Sequence, residues 1–173
     1  MSVNYFIKPK LDLITDSDED TSKEYKLQIK WINVILLAYF HGAAIYSCFC
    51  PVKYWSTVAV GWTYSIITGM GTTVAAHRYF THRCFKANKY LKFFLLTCQT
   101  MTAQEPVLHW ARDHRVHHKF TDTDADPYNS RRGFFFSHMG WLMCKKHPEV
   151  IRQGKKVDMS DLENDPWILF QKK

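Results

Sequence analysis

Residues 55–82 read WSTVAVGWTYSIITGMGTTVAAHRYFTH, an uncharged run that ends in a histidine pair. From Trp55 to Ala76 there is no Asp, Glu, Lys or Arg. That meets the roughly 20 apolar residues a helix needs to span a hydrocarbon core. A second run, Trp31 to Cys50, is equally free of charge. Buried helices of a soluble bundle use similar stretches, but uncharged runs beyond about 18 residues read first as spans. Two spans are therefore expected, over 31–50 and 55–76, with a tight turn at Pro51–Tyr54. Neither is a cleavable signal, because the first starts deep in the chain with no small-residue cleavage site before a mature domain. The Gly- and Thr-rich stretch TGMGTTVAA predicts close helix packing.

A chain of 173 residues is one domain's worth. Its mean hydropathy of −0.30 is that of a soluble protein, but the average hides the segregation of apolar from charged segments. The net charge of +7 is also uneven. Residues 1–30 hold five basic and six acidic side chains, residues 31–173 eighteen and ten. The positive-inside rule then places the C-terminal region, and with it the N-terminus, on the cytosolic side. Basic surface without a nucleic-acid motif points to anionic lipid or a phosphorylated ligand. Residues 1–25, with the run DSDED, are expected to be a flexible polar leader. The five cysteines show neither zinc-ribbon nor secreted-framework spacing, which fits a reduced compartment, and Cys48 and Cys50 read as packing residues.

Beyond the second run, residues 88–103 are apolar with Lys89 and Lys92 at one end, the pattern of an interfacial helix. Trp110 to Phe120 predicts a helix, broken by Asp126-Pro127. Residues 133–144, GFFFSHMGWLMC, predict an amphipathic stretch on a membrane surface.

The chemistry lies in HRYFTH (His77, His82) and HRVHH (His114, His117, His118). On a helix, positions i, i+3 and i+4 share a face, so the second group converges on one spot. His77 and His82 are five apart and diverge by about 140° at 3.6 residues per turn. They serve two different metals, or His82 lies past the helix end. A lone histidine is usually structural, but two tight clusters at a membrane boundary point to metal. HExxH is absent, and imidazoles without thiolate suit iron or copper redox chemistry. Arg78 and Arg115 are expected to be solvated or paired. Asp122, Asp124 and Asp126 resemble the start of a calcium loop, but Pro127 and Gly133 occupy the places of its Gly and Glu, so they are expected to form salt bridges or caps. His41, His138 and His147 read as structural.

HRYFTH, followed by WARDHRVHHKFTDTDADP and NSRRGFFFSHMGW, resembles the membrane-bound acyl-CoA desaturases of the stearoyl-CoA type over roughly residues 26–173. The resemblance implies an all-α fold of integral membrane helices under a cytosolic, histidine-rich helical cap, here residues 77–173, in the endoplasmic reticulum membrane. It implies a di-iron centre with His77, His82, His114, His117 and His118 among its ligands. It implies O2 as oxidant, cytochrome b5 as electron donor and a fatty acyl-CoA as substrate. Arg112 and Asp113 match positions that contact the CoA headgroup, Lys145 and Lys146 a basic pair near its phosphates, and Gln104 and Trp110 the bend of the acyl tunnel. Membrane-surface charge accounts equally well for Lys145 and Lys146, and packing or an interface anchor for Trp110.

Two positions depart from the family pattern: His109 stands where relatives usually carry an acid, and Tyr128 where many carry His. A third histidine box and a second pair of spans are expected downstream of Lys173. The chain is thus expected to be a truncated, N-terminal portion of the desaturase fold. A related di-iron membrane hydroxylase and a non-catalytic truncated membrane protein are the rival readings.

Overall fold

The computed structural model describes residues 25–172, so the expected leader lies outside the described residues except for Tyr25. The described chain is helical, with a single isolated antiparallel bridge between Ile29 and Cys144. Helix α1 covers Trp31–Ser47 and α2 covers Trp55–Met70; neither buries a residue. The chain continues from α2 without interruption into a π-helix, Gly71–Thr81. Helices α3 (Lys89–Met101) and α4 (Val107–Phe120) follow, then α5 (Phe134–His138), α6 (Pro148–Gly154), α7 (Ser160–Glu163) and α8 (Pro166–Gln171).

The expected spans need correction. No helix among the described residues is long and apolar enough to cross a membrane. At 1.5 Å per residue α1 is about 26 Å long, short of the roughly 30 Å hydrocarbon core. The run 55–76 divides at Met70. Beyond it Gly71, Ala75 and Ala76 are buried against protein rather than left for lipid. The small residues that make this part of the sequence look like a span are instead the floor of the cap. There the core joins Ala75, Ala76 and Phe80 to Leu95 and Leu96 of α3, Val107, Leu108 and Ala111 of α4, and Met159, Leu162 and Ile168.

In the stretch TGMGTTVAA close packing falls on one glycine. A Cβ on Gly71 would lie 2.3 Å from the Cys98 carbonyl oxygen, so only hydrogen lets the π-helix meet the backbone of α3. Gly61 and Gly69 face open space. Cys48 and Cys50 are exposed, not packed as expected; they lie in the turn after α1, which buries nothing.

Local signals explain the helix ends. The Asn88 side chain accepts from Leu91 N at 2.9 Å and caps α3. Pro148 and Pro166 sit in the first turns of α6 and α8, where a missing N–H costs nothing. His147 Nδ1 accepts from Glu149 N at 3.2 Å, a structural task. Helix α4 begins three residues before the expected start and ends at Phe120, well short of the Asp126-Pro127 break. Residues 133–144 form α5 and a 3-10 turn at Gly140–Met143, not one continuous stretch.

Candidate metal centre

The π-helix decides the site. Its backbone bonds run from residue i+5 back to residue i, as His82 N donates to His77 O at 3.0 Å, and the Thr81 hydroxyl adds a side-chain bond to Ala76 O at 2.7 Å. The widened turn brings His82, which lies just past the helix end as its C-cap, back beside His77 with ring centroids 4.6 Å apart, so the second of the two sequence readings holds. The divergence expected of an α-helix does not arise. π-Turns occur often at functional sites, where they re-aim side chains.

Helix α4 delivers its histidines by ordinary α spacing. His114 and His118, i and i+4, point their Nε2 atoms at each other across 3.1 Å. His114 lies at the centre, its ring 4.8 Å from His77, 5.3 Å from His82 and 4.6 Å from His118. One nitrogen from each of His77, His82, His114 and His118 falls within 4.8 Å of the others.

This set fits a metal ion. Two nitrogens each about 2.1 Å from one ion stand about 3.0 Å apart at a right angle and about 3.4 Å at a tetrahedral angle, a range that includes the His114–His118 separation. Three of the rings are also held below the usual imidazole range. Burial, then the neighbouring imidazoles of His118, His77, His82 and His117, push His114 down to about 3. Burial followed by neighbouring charge lowers His82 and His118 as well. Neutral imidazoles offer lone pairs, the form a metal needs.

His117 stands apart from the four. Its Nδ1 donates to Asp126 Oδ1 at 2.8 Å, which leaves Nε2 as its available ligand atom. Asp126 is buried and also accepts from Asp122 N and Tyr128 N, each at 2.8 Å. The Tyr128 ring flanks His117 at 5.2 Å. Asp122 accepts from Ser130 N and Oγ, so the acidic run does form caps.

The six residues assigned to substrate fall in four places. Trp110 lies against the cluster, 4.9 Å from the His114 ring and 6.4 Å from that of His77. Gln104 is exposed and donates to Thr72 Oγ1 at 3.3 Å. Arg112, Asp113 and Lys146 form one network: Asp113 is buried, pairs with Lys146, and accepts from Arg112 at 3.2 Å. Lys145 is exposed, its backbone N donating to Gln28 O at 2.8 Å. His138 is exposed and stacks on Phe134, and His41 bonds the Leu37 carbonyl of its own helix.

Asp126 was expected to form a salt bridge or cap, and it pairs with His117. One carboxylate escaped the sequence reading. Asp161 has no local signal. It binds Arg83 and Arg115 from far along the chain.

Four imidazoles converging from two helical segments form a candidate metal site in a helical protein. The family model described as fatty acid desaturase matches residues 53–156, and the chain belongs to that family. It is similar to the Delta(9)-fatty-acid desaturase fat-6 of Caenorhabditis elegans, at 46% identity over 94% of this chain and 48% of that protein. It is 49% identical to the acyl-CoA Delta-9 desaturase of Acheta domesticus, over 86% of this chain and 42% of the relative. Stearoyl-CoA desaturase 4 of Mus musculus is 44% identical over 96% and 48% respectively. The chain spans about half the length of these relatives.

Proposed function

We propose that the chain supplies part of the metal centre and the acyl-CoA entrance of an O2-dependent acyl-CoA desaturase. The observation that carries this is the convergence of His77, His82, His114 and His118 within 4.8 Å, in a chain of the desaturase family. His117, oriented by Asp126, is the fifth ligand. The ions are iron, two in the complete protein, and when bound they supply redox activation of O2. The reaction balances as two hydrogens from adjacent chain carbons, plus two electrons and two protons, converting O2 to two waters. Cytochrome b5 is the electron donor.

The chain's own residues bind and position. The lowered imidazoles of His82, His114 and His118 favour the neutral form that a metal needs. Trp110 presents a flat apolar wall beside His114, against which an acyl chain packs. Lys145, exposed and fixed through its backbone, serves the CoA phosphates, with Arg112 as a second donor. Lys146 neutralises the buried Asp113 and holds that surface in shape.

Membrane seating in the endoplasmic reticulum, with the histidines facing the cytosol, is supported by α1 and α2. Both expose apolar side chains all round, Trp31, Phe40, Trp55 and Trp62 among them. Three hydroxyls of α2 bond within their own helix, Thr63 to Ala59 O and Ser65 to Gly61 O, both at 2.9 Å, and Thr68 to Tyr64 O at 3.0 Å, while that of Tyr64 reaches Met101 O of α3 at 2.6 Å. A helix in lipid must satisfy its polar groups in this way.

The test is to express the chain joined to the C-terminal half of the nematode relative in a desaturase-deficient host and to analyse its fatty acids. Unsaturated acyl products are expected. Hydroxylated products would establish the hydroxylase reading instead, and no product at normal abundance would leave a non-catalytic protein.

A further inference from the structure

Asp161 accepts more hydrogen bonds from charged donors than any residue of the histidine cluster has reason to need nearby. Arg115 meets it fork to fork, Nη1 to Oδ1 at 3.0 Å and Nη2 to Oδ2 at 2.9 Å. Arg83 meets it side-on, Nε to Oδ2 at 2.9 Å and Nη2 to Oδ1 at 2.7 Å. Charge-assisted, bidentate pairs are the strong and directional members of their class.

Both arginines are placed by the histidine boxes. Arg83 follows His82, and Arg115 follows His114. Arg115 also donates to the open carbonyls at the end of the π-helix, Phe80 O at 2.8 Å and Thr81 O at 3.3 Å, and to Asp158 O at 2.7 Å. One guanidinium of α4 thus caps the helix that carries the other histidine pair. Asp161 is itself rigid, because its neighbours Met159 and Leu162 are buried in the core.

The backbone adds an independent observation. Arg83 has φ +53°, a left-handed conformation that ordinarily favours glycine. It closes the π-helix, with Cys84 N donating to Arg78 O at 2.9 Å. A non-glycine residue held there beside a proposed ligand is strain kept for a purpose. The tether to Asp161 is what holds it.

We infer that Asp161 is a positioning residue for the metal centre, fixing the His77–His82 pair against the His114–His118 pair through Arg83 and Arg115. The inference rests on the metal reading above. Asp161 lies beyond residues 53–156, the stretch that matches the family model, so it is no part of that matched pattern. Burial raises its carboxyl, but the hydrogen bonds and charges of Arg115 and Arg83 overcome this and hold it at about 2, so the brace is charged at any physiological pH.

The experiment titrates the 173-residue chain in detergent with Co(II), following the visible absorption of histidine-bound cobalt, and records thermal unfolding without metal. Asp161→Asn should weaken binding by at least about tenfold, in the range that loss of an outer-shell partner costs. Asp161→Glu should restore most of it, and Glu163→Gln, on the same short helix, should change nothing. Arg83→Gly separates positioning from folding. It relieves the left-handed strain, so the unfolding midpoint should hold or rise, while Co(II) affinity falls by about threefold or more. Unchanged affinity in Arg83→Gly overturns the inference even if Asp161→Asn fails to fold. Wild-type protein that gives no histidine–cobalt absorption overturns the metal reading, and the brace with it. Wild-type binding matched by Asp161→Asn overturns the brace alone.

Discussion

The π-helix and α4 place two histidines each at the same point, yet by different rules. Helix α4 uses the spacing any α-helix provides, and His114 and His118 meet at i and i+4. The π-helix uses five residues per pair and needs a widened turn to do it. The wide turn is affordable because Gly71, Ala75 and Ala76 sit on its buried side and let α3 and α4 pack closely. The difference teaches that ligand spacing in a sequence reports geometry only once the helix type is known.

Equal dependence on the two helices is the sharpest consequence. His82→Ala and His114→Ala, one from each helix, should each weaken Co(II) binding more than about a hundredfold, since each removes one of few donor atoms. Equilibrium titration of the purified variants measures this. Retained binding in His82→Ala alone would mean that the C-cap of the π-helix bears no ligand.

A smaller effect is expected at the support of the wide turn. Gly71→Ala places a methyl against the Cys98 carbonyl and should destabilise the protein by about 3 kcal/mol, at the upper end of overpacking costs. Gly69→Ala, with open space around it, should be neutral or slightly stabilising. Chemical denaturation of the two variants compares them directly. Equal stabilities would show that the π-helix does not press on α3.

The smallest effect concerns α4 only. Asp126→Asn keeps the shape but weakens the hold on His117, and should lower Co(II) affinity about tenfold. The cobalt titration reads it, with Asp124→Asn, at an exposed position, as a control. Loss no greater than in the control would take Asp126 out of the site.

Much of this was legible in the sequence, for identifiable reasons. The histidine boxes announce themselves by residue type, and α4 follows from ordinary periodicity. The π-helix was not legible, because nothing in HRYFTH distinguishes a five-residue turn from a four-residue one. Its buried side reads as a membrane span because alanine, glycine and threonine are equally at home against lipid and against a neighbouring backbone. His117 was grouped with its helical neighbours, and the partner that orients it, Asp126, lies nine residues on, outside the helix. Asp161 was invisible, since a contact 46 residues from Arg115 and 78 from Arg83 leaves no local trace. The short helices after Lys145 were missed because each is a single turn or two, held by its caps and by a few buried side chains.

The bridge between Ile29 and Cys144 ties the entrance of α1 to the strip that carries Lys145. Lys30 N donates to Met143 O at 2.7 Å, and the Asn33 side chain to Leu142 O at 2.7 Å. The first apolar helix is thus a mast stepped directly into the deck above it. The backbone of Lys145 is thereby fixed relative to the start of α1 through one short stretch of chain.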